Sequence, residues 1–134
     1  MRRVSKKRAE KMLSVREFRN GMIKTIGCCE LCGASPTRPK HAIHSMNDLC
    51  VHEIANGPDR EKALDKPYAI LVLCWKCNSY EVVDKGVWPQ ARQLALLKTS
   101  RPSDYDLPAF NYLVNPRAPK RIEQKEVDQW LASL

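Results

Sequence analysis

Glycine is sparse, with five residues in 134, and aromatic residues make up only 7% of the chain, with two Phe among them. So little glycine excludes a collagen-like repeat, and the chain shows no internal repeat or low-complexity tract. No long hydrophobic run exists either. The longest, Ala69 to Trp75, is seven residues, far below the roughly 18 needed to cross a bilayer. No membrane association is expected. No apolar stretch follows the basic first residues, so the sequence predicts no cleaved secretory signal and a cytoplasmic location, with nucleoid or nucleus also permitted. With 43% hydrophobic and 28% charged residues, the composition is that of a folded chain rather than a disordered one.

Charge is what the chain has in excess, with 23 Lys+Arg against 15 Asp+Glu, a formal net of +8. The excess is concentrated. Residues 1–24 hold nine basic and two acidic residues, leaving a net of +1 for the rest. Such a block suits a polyanion better than it suits general solubility. Arg2, Arg3, Lys6, Lys7, Arg8, Lys11, Arg16 and Arg19 are the candidate phosphate contacts. With about six such contacts, affinity for nucleic acid falls roughly 10³-fold between about 50 and 200 mM salt.

Cysteine is also abundant, at six. In a chain with no export signal this points to metal rather than disulfides. Four fall into two knuckles, Cys29-Glu30-Leu31-Cys32-Gly33 and Cys74-Trp75-Lys76-Cys77. A two-residue gap turns both thiolates of a pair toward one ion at about 2.3 Å, and two pairs complete a tetrahedral set. The expectation is a structural Zn²⁺ on Cys29, Cys32, Cys74 and Cys77. Cys28 is an alternative to Cys29, because a three-residue gap to Cys32 is also permitted. Cys50 and the spare cysteine read as buried fillers. Trp75 reads as a shield for the metal, and Trp88 and Trp130 as helix anchors in the core.

The pattern predicts an amphipathic helix over 4–26, with Val15, Phe18, Met22 and Ile26 on one face and Gly27 as its stop. Residues 33–48 read as a loop with one short strand, 49–54 as a strand broken by Ala55-Asn56-Gly57-Pro58, and 59–65 as one or two helical turns. Tyr68 to Leu73 is the clearest strand. Helices follow over 76–84, 89–98, 107–114 and 123–133, with a Pro116/Pro119 linker before the last. The expected organisation is a basic helix (1–27), a zinc-binding core (28–86) and a helical extension (87–134). The expected fold class is α+β.

The order of knuckle, strand with a His, strand, knuckle and helix carries a resemblance. Residues 29–85 resemble the HNH endonuclease family through Cys29-x-x-Cys32-Gly33, Leu49-Cys50-Val51-His52-Glu53-Ile54 and Ile70-Leu71-Val72-Leu73-Cys74-Trp75-Lys76-Cys77-Asn78. The resemblance implies a ββα-metal finger with a structural Cys₄ zinc, and a second divalent ion, such as Mg²⁺, for cutting DNA or RNA. It places His52 at the ligand position, Glu53 at the base position and Asn78 at the final ligand position. The reverse assignment, His52 as base and Glu53 as ligand, is equally compatible with the pattern. Two departures stand out. Ala69 falls where the family's orienting Asn stands, and Asn78 replaces a His. An Asn oxygen suits a hard ion such as Mg²⁺.

Each of these residues also has a plainer role. His52 can pack beside the knuckle, Glu53 can face solvent, and Asn78 can cap the helix after Cys77. His41 and His44 read as loop histidines. Arg60 and Lys62 lie between the strands, where such a finger meets a phosphate. Three functions are therefore expected in order: an HNH-like endonuclease acting on duplex or branched DNA; a non-catalytic zinc-containing DNA-binding protein on the same fold; and a protein-interaction module using the C-terminal helices.

Overall fold

The structure is a computed structural model that describes residues 5–36, 48–55, 57–79 and 88–134. Arg2, Arg3, His41, His44, Gly86 and the later part of the predicted 76–84 helix lie outside the described residues.

Helix α1 spans Lys6–Ile26. Ser5 starts it by accepting the Arg8 N–H on its hydroxyl at 3.2 Å, which satisfies one of the first-turn donors. Gly27 ends it at φ +70°, its N–H returning to the Ile23 carbonyl, a left-handed cap that glycine adopts without a Cβ penalty. Only the C-terminal half of α1 is seated. Phe18, Met22, Ile23 and Ile26 pack on Val51, Ile70 and Val72, while Met12 and Leu13 remain more than half exposed.

Among the described residues the sheet has two antiparallel strands, β1 (Leu49–Glu53) and β2 (Ile70–Cys74), paired with Val51 opposite Val72 and His52 opposite Leu71. Side chains alternate across a strand, so β1 divides its residues between two surroundings. Val51 and Glu53 face α1, whereas His52 faces the larger core. All five residues of β2 are buried, because helices cover both sheet faces. The strand expected from Tyr68 instead begins at Ile70. Pro67–Ala69 forms a 3₁₀ turn, closed by the Ala69 N–H on the Lys66 carbonyl at 3.0 Å, with Pro67 pre-set for its first position. A longer 3₁₀ segment, Gly57–Ala63, bridges the strands.

Helices α2 (Gln90–Ser100), α3 (Leu107–Val114) and α4 (Gln124–Leu131) complete the chain. Asp106 caps α3 through the Ala109 N–H, and Glu123 and Glu126 form a capping box at α4. Leu94, Leu97, Phe110 and Val127 are fully buried together with Leu71, Leu73, Cys29 and Cys74. The knuckle cysteines and the C-terminal helices thus share one core. The fold is α+β, as the sequence predicts, and no helix among the described residues is long and apolar enough to cross a membrane.

Candidate metal centre and the cluster around His52

Strand β2 delivers Cys74 at its last position, and the helical turn over 75–79 brings Cys77 back beside it. The first knuckle folds through its own backbone: the Cys29 N–H meets the Ala34 carbonyl and the Gly33 N–H meets the Cys29 carbonyl, both at 2.9 Å. Gly33 sits at φ +79°, a left-handed turn position. The sulfurs of Cys29, Cys32, Cys74 and Cys77 lie within 4.8 Å of one another, and those of Cys32 and Cys74 are 3.7 Å apart. A tetrahedral ion with metal–sulfur bonds of about 2.3 Å requires sulfurs about 3.8 Å apart. The four cysteines can hold a metal ion, and their chemistry fits a structural zinc.

The structure selects Cys29 over Cys28, which stays outside the group. Backbone amides support the sulfurs, with the Cys32 N–H 3.5 Å from Cys29 Sγ and the Cys77 N–H 3.4 Å from Cys74 Sγ. Burial pushes the Cys77 and Cys74 thiols up, a cost that a dication bound among thiolates reverses. All six cysteines are free of disulfides.

A residue the sequence did not single out locks the first knuckle. The Glu30 carboxylate, 2% exposed, receives the Arg101 Nε at 2.6 Å, the Ser100 hydroxyl at 2.8 Å and the Val72 N–H at 2.7 Å. Arg101 also donates to the carbonyls of Ile70 and Pro67. One ion pair therefore ties the knuckle, β2 and the end of α2. Glu30 and Arg101 are 71 positions apart, and nothing local in the sequence marks them as partners.

His52 faces Gln93 of α2, with His52 Nε2 2.7 Å from Gln93 Oε1. Gln93 donates its amide N–H to the Trp88 carbonyl at 2.8 Å. Its oxygen is thus the acceptor, which assigns the imidazole proton to Nε2. Burial pulls the His52 pKa below its ordinary value, against the opposing effect of Gln93. Asn78 lies on the same side, close enough to favour the charged ring, and donates to Cys50 Sγ at 3.4 Å. Its Oδ1 is buried with no hydrogen-bond partner among the described residues. Cys50 donates to the Leu73 carbonyl, and burial raises its thiol pKa. The single signal for Gln93 was an uncharged polar residue inside the otherwise apolar stretch that follows Arg92.

Glu53 is on the other face of β1. It is 7% exposed and paired with Arg19 at 2.9 Å and Arg60 at 3.4 Å. Arg19 also donates to the Val51 carbonyl at 3.0 Å. The structure brings His52 and Asn78 together and separates Glu53 from both. Among the nucleic-acid candidates, Arg19 and Arg60 are engaged with Glu53, and Lys62 pairs with Asp59 at 3.2 Å. Lys6, Lys7, Arg8, Lys11 and Arg16 are exposed along α1. Trp75 is 38% exposed, more open than a shield for the metal. Trp88 is buried and holds the Arg92 guanidinium 3.7 Å from its ring centre, with Trp130 on the same cation at 5.1 Å.

Compared with protein-family models, curated proteins and solved structures, the chain finds no match.

Proposed function

We propose that this chain is a zinc-stapled nucleic-acid-binding protein on an HNH-like core, and that it binds without cutting. The observation that carries the reading is the row of cations on α1. Arg8, Lys11 and Arg16 are exposed and have no ion-pair partner among the described residues. A fixed helix bearing unpaired guanidinium and ammonium groups is an electrostatic track for phosphates. Binding is preferred to cleavage because Glu53, at the family's base position, is neutralised by two arginines on the face of β1 opposite His52.

The test joins two measurements. Labelled DNA titrated by fluorescence anisotropy across a salt series reports binding, and supercoiled plasmid incubated with Mg²⁺ or Mn²⁺ reports nicking. The reading expects binding that weakens steeply with salt, a slope smaller by about three after Arg8→Glu, Lys11→Glu and Arg16→Glu together, and no nicking. A salt-independent or absent interaction sinks it.

One observation favours the endonuclease reading: His52 and Asn78 stand side by side, and Asn78 Oδ1 is a buried oxygen without a partner among the described residues. These two would hold the divalent ion, which would supply Lewis-acid stabilisation of a phosphate. His52 would coordinate through Nδ1, since Nε2–H is committed to Gln93. Nicking abolished by His52→Ala, with zinc content unchanged, decides for this reading.

A further inference from the structure

Between α1, the outer edge of β1 and the 3₁₀ segment after it runs an open groove of about 730 Å³. Its three sides differ in chemistry. The α1 wall carries Arg8, Lys11 and Arg16, with no ion-pair partners among the described residues. The floor is aliphatic, formed by Met12, Val15, Leu49, Val51 and Leu64. The opposite wall offers one carboxylate, Glu61, while its cationic neighbours Arg60 and Lys62 are spent on Glu53 and Asp59.

We propose that this groove holds a single strand of nucleic acid, its phosphates on Arg8, Lys11 and Arg16 and its bases against the aliphatic floor. The inference rests on the nucleic-acid reading above and names the ligand class for it. Charge decides the number of backbones. A duplex carries two phosphate backbones, and a site whose unpaired cations all lie on α1, facing a charge-balanced wall with one carboxylate in its lining, offers a track for only one of them. Hydrophobicity decides the rest. In a duplex the base faces are stacked on one another, so the aliphatic floor gains no apolar partner from it. Unpaired bases bring exposed apolar faces that can be removed from water against such a floor. Arg8 and Arg16 are about 12 Å apart along the helix axis, a stretch that one extended strand crosses in a few nucleotides. Glu61 turns the phosphates toward α1 and can accept a hydrogen bond from a base amino group.

The experiment titrates the full zinc-loaded chain against a fluorescein-labelled 15-mer of oligodeoxythymidine and against a 15-base-pair duplex at the same salt. Single-strand affinity at least tenfold above duplex affinity is expected. Two variants place the groove. Met12→Glu puts a carboxylate in the floor, and Leu13→Glu puts the same charge at an equally exposed position of α1 outside it. Met12→Glu is expected to weaken single-strand binding more than tenfold, and Leu13→Glu no more than threefold; circular dichroism of both checks the fold. Equal or tighter duplex binding, or equal losses from the two variants, overturns the single-strand inference and leaves the nucleic-acid reading standing. Binding to neither probe overturns both. Direct binding of a fluorescein-labelled polyglutamate peptide, with no binding of either nucleic-acid probe, assigns the groove to an acidic protein and likewise overturns both.

Discussion

His52 shows how one side chain's surroundings decide its chemistry. The imidazole is enclosed by Gln93, Asn78 and the core side of β1, and burial keeps it neutral below its ordinary pKa of about 6.5. The unfolded chain therefore takes up this proton at a higher pH than the folded chain. Stability from this group is fully present above about pH 6.5 and is lost as pH falls through the lower folded value. Urea unfolding between pH 7.5 and 5.5, at saturating zinc, is expected to show a steeper loss in the wild type than in His52→Gln. Parallel profiles would show that His52 ionises alike in both states. Zinc ligands protonate in both proteins, so only the difference between them reports on His52. The residue type and its strand position were legible in the sequence. Its partner was not, because Gln93 lies 41 positions away and meets it only through the packing of α2 on the sheet. The choice of Cys29 over Cys28 was likewise left open by spacing, and is made by the hydrogen-bonded turn from Cys29 to Ala34.

At the scale of elements, boundaries signalled by local chemistry were readable and those set by neighbours were not. Ser5 and Gly27 bracket α1 because capping is local. Strand β2 starts later than its apolar run because Pro67 directs Pro67–Ala69 into a 3₁₀ turn. The two-residue period of β1 already implied that adjacent His52 and Glu53 face opposite ways, a geometry the family pattern conceals when read as a string. The Glu30–Arg101 pair is the contact between elements with the greatest consequence for stability. Side-chain exposures of 2% and 11% set it apart from surface pairs, which contribute about 0–1 kcal/mol. Removing one partner of a buried pair costs about 3–5 kcal/mol when the other charge is stranded, and Arg101 keeps Asp104 at 2.7 Å, which holds the cost to the lower end of that range. Glu30→Ala is expected to lose that much in urea unfolding. It is also expected to loosen zinc, because the carboxylate holds the first knuckle against the Val72 N–H. A loss below about 1 kcal/mol with zinc retention unchanged would mean that Asp104, already paired with Arg101, suffices for that charge and the knuckle stands alone.

Across the whole molecule, the net charge belongs almost entirely to residues 1–24, yet α1 is not a detachable tail. Its first half carries the cations into solvent while Phe18, Met22, Ile23 and Ile26 close one face of the sheet. Deleting residues 1–24 therefore removes part of the fold along with the charge, and charge substitution is the cleaner test of binding. The four-cysteine site lies in the corresponding position on the other side. Cys29, Cys74 and Cys77 are members of the same buried cluster as Leu94, Leu97, Phe110 and Val127, so the site is not a peripheral clip. Zinc on such a cysteine set is worth about 10–16 kcal/mol in small peptides, as large as the whole stability of a typical domain, about 5–15 kcal/mol. Chelation should thus unfold the chain cooperatively rather than melt one knuckle. Titration with a strong zinc chelator is expected to abolish the far-ultraviolet helical signal and shift the tryptophan emission at the same chelator concentration, and added zinc is expected to restore both. The emission is read in a Trp75→Phe variant, which removes the tryptophan inside the second knuckle, so that Trp88 and Trp130 report from the helical part of the core. If the helical signal and this emission persist after zinc is shown to be gone by elemental analysis, the apolar contacts of α2, α3 and α4 suffice by themselves. The four cysteines would then secure only the turns that carry them.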